Sequence, residues 1–178
     1  MSEKTAVRLL PVDDEVLERL LATAIADADP AEVMPPVAGP AGWTVQRQDA
    51  FRAFHRDRYD GLAGALHERT FAVAADGQIV GSARLEGKEP GVLEAGLWLG
   101  RSARGHGIGT AVLQVLLEEA SNADAVTVVA ETTMANTAAL GVLRHRDGQV
   151  SAEKSSGQVH VEIQLMQPAA EPTVHPSS

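Results

Sequence analysis

Apolar positions in this chain recur with two periods, and the order in which the periods alternate predicts its elements. Thr5 to Leu10 reads as a short strand, after which Asp13 or Asp14 caps a helix with Val16, Leu17, Leu20, Leu21 and Ile25 at helical spacing. Residues 28 to 43 hold Pro30, Pro35, Pro36, Gly39, Pro40 and Gly42, which cannot continue a helix and read as loop. Thr44 caps a second helix that passes through Phe51, Phe54, Tyr59 and Leu62 to about His67. Two strands, Thr70 to Ala75 and Gln78 to Glu86, flank Asp76-Gly77, a hairpin signal because both turn positions accept positive φ. Val92 to Leu99 is the next strand. Gly107 to Ser121 follows as a helix with Ile108, Ala111, Val112, Val115 and Leu116 inward, and Ala125 to Ala130 is a near-continuous apolar run of the buried kind. A helix over Ala135 to Arg146 and strands over Gly148 to Ser151 and Val159 to Met166 complete the pattern. The expected fold is a mixed α/β sheet in one domain over residues 1–166, with 167–178 as a flexible polar tail.

Composition narrows the chemistry. At 178 residues the chain is long enough for one domain with a sizeable core. No apolar run approaches the ~20 residues of a membrane span, and Met1-Ser-Glu-Lys does not open a signal peptide, so a cytoplasmic protein with no membrane association is expected. Without cysteine the chain has no disulfide, thiolate metal site or cysteine nucleophile. His55 and His67 lie far from any carboxylate pair at metal spacing and no His-x-x-x-His occurs, so no metal is expected. The balance of 15 basic against 24 acidic residues, −9 net, argues against a nucleic-acid partner and favours a cationic one. Asp13, Asp14, Glu15, Glu18, Asp27 and Asp29 concentrate that charge near the start, where it serves a solvated face or an acceptor cleft.

The stretch Arg101-Ser-Ala-Arg104-Gly105-His106-Gly107-Ile108-Gly109-Thr110 joins a strand to a helix and carries the clearest chemical signal. Its glycines allow a tight bend and close approach to a ligand, while the helix start offers unpaired N–H groups and the positive end of its dipole to an anion. Arg104 adds a fixed positive charge. The spacing is neither a dinucleotide fingerprint nor a P-loop, since Gly109 is followed by Thr110 and Ala111.

The pattern Arg104-x-x-Gly107-x-Gly109 resembles the acetyl-CoA pyrophosphate loop of the GNAT superfamily of N-acetyltransferases. The flanks, Glu94-Ala-Gly96-Leu-Trp98-Leu-Gly100 and Ala130-Glu131-Thr132 through Asn136 to Leu143, resemble the branch that acetylates the N-termini of ribosomal proteins. The resemblance covers residues 70–166 well and the first seventy loosely. It implies a mixed, mostly antiparallel sheet of about six to seven strands, splayed at the acetyl-CoA site and flanked by about four helices. It also implies acetyl-CoA as co-substrate, held by Arg104, Gly105, His106, Gly107, Ile108, Gly109 and Thr110. Main-chain N–H groups of Leu97, Trp98 and Leu99 would polarise the acetyl carbonyl, Asn136 would face the pantetheine arm or the sulfur region, and Ala139 would belong to the same cofactor site. Where the family often has a Tyr or a Ser as the acid for the leaving thiolate, this chain has Leu143 and Ala139. Tyr59, His145, water or departure of the free thiolate are the substitutes.

Amide formation also needs a neutral amine. Glu94 is the first candidate base, acting through water, because Leu93, Ala95 and Leu97 around it would desolvate its carboxylate; a solvent-facing strand carboxylate is the alternative. Glu131 is the second, its alternative being a surface charge. Trp98 is a wall residue able to shape the acceptor pocket. The expected activity is acetyl transfer to a primary amine of a protein N-terminus, a polyamine or a cationic small molecule, by direct attack in a ternary complex. The competing expectation is an acyl-CoA-binding sensor or structural module without turnover, and two copies could pair as a homodimer.

Overall fold

The computed structural model describes residues 5–133, 150–155 and 158–165. The first strand, β1, is Val7–Pro11. Asp13 then ends the extended backbone: its carboxylate accepts from the Val16 N–H at 2.8 Å and starts α1, Asp14–Asp27, with Asp14 and Glu15 favourably placed at the positive helix end. The buried stripe of α1 is Leu17, Leu20, Leu21 and Ala24, whereas Ile25, expected inward, is 43% exposed. Each buried leucine contributes roughly 1.5–3 kcal/mol.

The segment expected to be loop contains one helical turn, α2, Pro30–Val33. Pro30 occupies the first turn, where its missing N–H costs no hydrogen bond, and Asp29 and Glu32 cap one another's backbone as a capping box. Helix α3, Val45–Arg56, begins where Thr44 accepts from the Arg47 N–H at 3.2 Å. It stops eleven residues short of the expected His67, because Arg58 turns back to donate to the Phe54 carbonyl at 2.7 Å and to Glu68 at 2.7 Å. A short 3₁₀ turn, Gly61–Ala63, follows.

Strands β2, Glu68–Ala75, and β3, Gln78–Glu89, are joined by Asp76 and Gly77 at φ 48° and 83°, as the hairpin signal requires. Strand β4 is Val92–Leu99, followed by a 3₁₀ turn at Arg101–Ala103 and by α4, Ile108–Asn122. Strand β5 runs over Thr127–Thr133, two residues later than expected, with Val126 on the surface; β6 is Val150–Ser155 and β7 Gln158–Gln164. The helix expected over 135–146 and the tail from 167 lie outside the described residues.

All seven strands share one sheet in the order β1-β2-β3-β4-β5-β7-β6. Every neighbouring pair is antiparallel except β4 and β5, which α4 connects as a parallel crossover. Alternation along each strand divides the core between two faces. On one face Phe71, Val73, Leu85, Leu93, Val128 and Val161 pack with Val112 and Leu116 of α4. On the other Ala72 and Ile79 pack with Leu17, Leu20 and Phe51 of α1 and α3. The inward stripe of α4 is rotated from the expected one: Leu113, Leu117 and Ala120 are buried, and Ala111 and Val115 only half so.

Candidate functional site

Pairing between β4 and β5 runs from Val92 opposite Thr127 to Ala95 opposite Ala130, and there it ends. Beyond that point β5 continues against β7 and β4 continues against β3, with Gly96, Leu97, Trp98 and Leu99 opposite Arg84, Ala83, Ser82 and Gly81. The two parallel strands therefore diverge, and the edge of β4 over Gly96–Leu99 has no ladder partner on the β5 side among the described residues. Backbone groups on such an edge can pair with an extended ligand as a strand would, and a free N–H can polarise a carbonyl.

The diverging end of β4 leads directly into the glycine-rich loop. Gly105 and Gly107 stand at φ 77° and 76°, and a Cβ at either would meet nothing within 4 Å. Gly107 is the N-cap of α4 in left-handed conformation, with no side-chain cap and no acidic residue in the first turn. The fifteen-residue helix thus begins without a capping side chain, its first N–H groups at the positive end of the dipole and next to the open space at Gly105 and Gly107. Ile108 is buried and fixes the helix start, Gly109 lies against Leu99, and His106 is exposed. Arg104 bends back to donate from Nε to the Leu99 carbonyl at 3.0 Å, and its Nη2 lies 3.4 Å from Glu32 of α2. The structure thus brings together the expected loop residues, Arg104 through Thr110, and the expected strand segment, Leu97 through Leu99.

Glu94 is differently placed from the expectation. Leu93, Ala95 and Leu97 point to the α4 face of the sheet, while Glu94, Gly96 and Trp98 point to the other, so the apolar sequence neighbours do not surround the carboxylate. Its Oε1 accepts from Arg84 Nη2 at 2.7 Å and its Oε2 lies 3.1 Å from Lys88 Nζ. Arg84 also meets Glu86 at 2.6 Å and buried Glu68 at 3.6 Å, and Lys88 meets Glu86 at 2.9 Å. The Lys88 hydrogen bond, assisted by Arg84 and opposed by partial burial, holds the Glu86 carboxyl below its ordinary range. Gly96 is what lets Arg84 lie across β4, since a Cβ there would come within 2.8 Å of the Arg84 Nε. Glu131 is the first residue of β5 past the divergence and accepts from or pairs with His160 Nδ1 at 2.6 Å.

A cleft of about 360 Å³ opens beside the unpaired half of β4. Its walls include Glu32 and Met34 of the α2 region, Phe54 and His55 of α3, Arg84 of β3 and Trp98 of β4. Of the residues expected at the site, Leu97 and Trp98 border it. His55 is 1% exposed, its Nδ1 lies 3.3 Å from the Thr70 hydroxyl, and burial, with a smaller effect of Arg58, lowers its pKa to about 4. The available signal was its position four residues after Phe51 on the apolar side of α3, where both share the core stripe.

Much of the early acidic cluster is occupied. Asp13 and Asp29 cap helices, Asp14 and Glu18 pair with Arg56 and Arg52, and Asp27 accepts from the Ser102 N–H and hydroxyl. Tyr59 donates its hydroxyl to Asp14 at 3.1 Å. Asn136, Ala139, Leu143 and His145 lie outside the described residues.

The acetyltransferase (GNAT) family model matches residues 36–147 of the chain. No curated protein matches it. Among solved structures it is similar to the GNAT domain of S. lividans PAT, with 18% identity, 90% of each chain covered and a TM-score of 0.60. It is similar also to RimL, a ribosomal L7/L12 alpha-N-protein acetyltransferase in complex with coenzyme A, at 16% identity, covering 92% of this chain and 96% of that one with a TM-score of 0.62. A third is the Campylobacter jejuni N-acetyltransferase PseH in complex with acetyl coenzyme A, at 13% identity, 90% and 100% coverage and a TM-score of 0.57. At these identities the likeness to solved structures is one of fold.

Proposed function

The chain belongs to the acetyltransferase (GNAT) family, and from that premise we propose that it moves an acetyl group from acetyl-CoA to a primary amine by direct attack in a ternary complex. The observation that carries this reading is the divergence of β4 from β5 after Ala95 and Ala130, with the open, uncapped start of α4 at its end. Arg104 and the N–H groups of the turn from Gly107 hold the pyrophosphate, which requires Arg104 to exchange Glu32 for the phosphate oxygens. The free edge over Gly96–Leu99 receives the extended pantetheine arm, and its N–H groups polarise the acetyl carbonyl where negative charge develops. The amine enters from the cleft beside Trp98.

The attacking nitrogen must shed a proton. Glu94 takes it through water in this proposal, while its contacts with Arg84 and Lys88 tie it to the cleft wall at Arg84. Glu131 is the carboxylate on the β5 side of the divergence. A net charge of −9 suits a cationic acceptor such as a basic N-terminal peptide or a polyamine, through long-range attraction.

Calorimetry with acetyl-CoA and a coupled assay for released thiol, run with serine-terminated basic peptides, spermidine and tyramine, test the proposal. Saturable binding with amine-dependent thiol release is expected. Binding with no release above background for any of the three amines would leave a CoA-binding module in place of the transferase.

A further inference from the structure

Among the described residues, one buried side-chain polar atom has no hydrogen-bond partner: Nε2 of His55. The ring is held on several sides. Phe51 lies at 4.7 Å between ring centroids, Phe54 stands edge-on at 5.3 Å, and Nδ1 is engaged with the Thr70 hydroxyl at 3.3 Å. An imidazole so fixed cannot rotate to satisfy its second nitrogen, and a buried polar group left unpaired is costly. His55 nevertheless lines the cleft that adjoins Gly96, Leu97 and Trp98. That is the stretch of β4 beside which, on the reading above, the acetyl group lies.

Resting on that reading, we propose that His55 positions the acceptor: Nδ1–H donates to Thr70 Oγ1, and the free Nε2 lone pair accepts a hydrogen bond from the acceptor's attacking amino group. The chemical class follows from the other walls. Phe54, Met34 and Trp98 give the cleft an apolar lining suited to a carbon chain or ring next to the amine, while Glu32 supplies one carboxylate. The acceptor is therefore a primary amine whose nearest carbons are apolar, with any further positive charge placed farther out. The titratable and charged groups nearest the ring are Arg58 after α3, Glu68 on β2, Arg84 on β3 and Glu32 on α2; Arg58 and Arg84 are each paired to Glu68. Burial, reinforced by Arg58, keeps the imidazole uncharged at neutral pH, so it accepts a hydrogen bond without repelling an ammonium on arrival.

His55 here is a positioning residue, because it neither forms nor breaks a bond. Its signature is a split between the two substrates. In His55→Phe, KM for tyramine should rise about tenfold, the scale of one lost hydrogen bond to a polar group, with KM for acetyl-CoA unchanged and kcat at saturating amine little changed. Thr70→Val, which leaves the ring in place but releases its tautomer, should raise the tyramine KM by a smaller factor. A second measurement does not depend on any variant folding: in the full chain labelled with ¹⁵N-histidine and saturated with CoA, the His55 Nε2 resonance should move when tyramine is added. Release of thiol from acetyl-CoA by wild type with tyramine or spermidine, but a His55 Nε2 signal unmoved by that amine, overturns the assignment and leaves the transferase reading standing. Thiol release with the basic peptides alone also overturns the assignment and leaves the transferase reading standing, whereas absence of release with all three amines overturns both.

Discussion

Replacing Gly107 by valine separates the fold of this chain from its proposed cofactor site. Gly107 has φ 76°, and a Cβ there meets no atom within 4 Å, so the substitution adds backbone strain without a collision. A β-branched residue held in left-handed conformation costs about 1–3 kcal/mol. For a chain of this length that lowers Tm by roughly 2–12 °C, since each kcal/mol moves the midpoint by about 2–4 °C. The open space that makes the change tolerable for folding is the space the pyrophosphate must enter, so the two isopropyl methyls stand where the anion meets the helix N–H groups. At a concentration one hundred times its Kd, acetyl-CoA should stabilise the wild-type chain by about 2.7 kcal/mol, a rise of roughly 5–11 °C. The variant should retain a single cooperative melt and lose most of that rise. Thermal melts with and without acetyl-CoA, on both proteins at one protein concentration, give the two quantities together. An undiminished ligand-induced rise in Gly107→Val would refute the placement of the pyrophosphate at this loop.

Three further outcomes are expected. Leu20→Ala, at a fully buried position of α1, should cost about 2–5 kcal/mol in urea unfolding, whereas Ile25→Ala on the same helix should stay within about 0.5 kcal/mol; equal losses would contradict the placement of the buried stripe. Stability should be flat above pH 6.5 with respect to His55 and fall as the pH drops towards 4, because the unfolded imidazole takes up a proton that the buried one resists; the loss is about 3 kcal/mol, and a wild-type slope identical to that of His55→Phe would rule it out. Glu94→Gln should lower kcat/KM by roughly 10²-fold with acetyl-CoA affinity preserved, and an unchanged rate would transfer the proton to Glu131 or to solvent.

The parts of this fold that could be read in the sequence are those set by neighbours in the chain. Asp13 and Thr44 cap their helices through the N–H three residues on, Asp76 and Gly77 take positive φ because the two-residue turn demands it, and β4 has the expected bounds. The glycine loop is legible for the same reason, since spacing within six residues defines it. Where the structure differs from the sequence pattern, the deciding contact is distant or reverses a local rule. Pro30 breaks any helix it follows, but at the first position of a turn closed by Asp29 and Glu32 it favours helix. The apolar spacing of α3 continues through Tyr59, while Arg58 ends the helix by reaching the Phe54 carbonyl and a carboxylate ten residues ahead.

Glu94 shows why the chemistry of the site was harder to read than its outline. Its sequence neighbours are apolar, but in a strand the residues on either side face away, so its surroundings are set by what β3 places opposite. The register that puts Arg84 beside Gly96 and Glu86 beside Glu94 depends on how the Pro90-Gly91 turn closes, with Lys88 left out of the pairing by a bulge between Gly87 and Glu89. A one-residue shift would turn Arg84 and Glu86 to the α4 face and replace them with Ala83 and Leu85. The same register sets Ser82 opposite Trp98 and, through β2, sets Thr70 opposite Arg84, which brings the partner of His55 to the cleft. The charged cluster, the wall at Trp98 and the fixed imidazole are thus consequences of one pairing, and they adjoin the opening because β4 keeps β3 on one edge after it has lost β5 on the other.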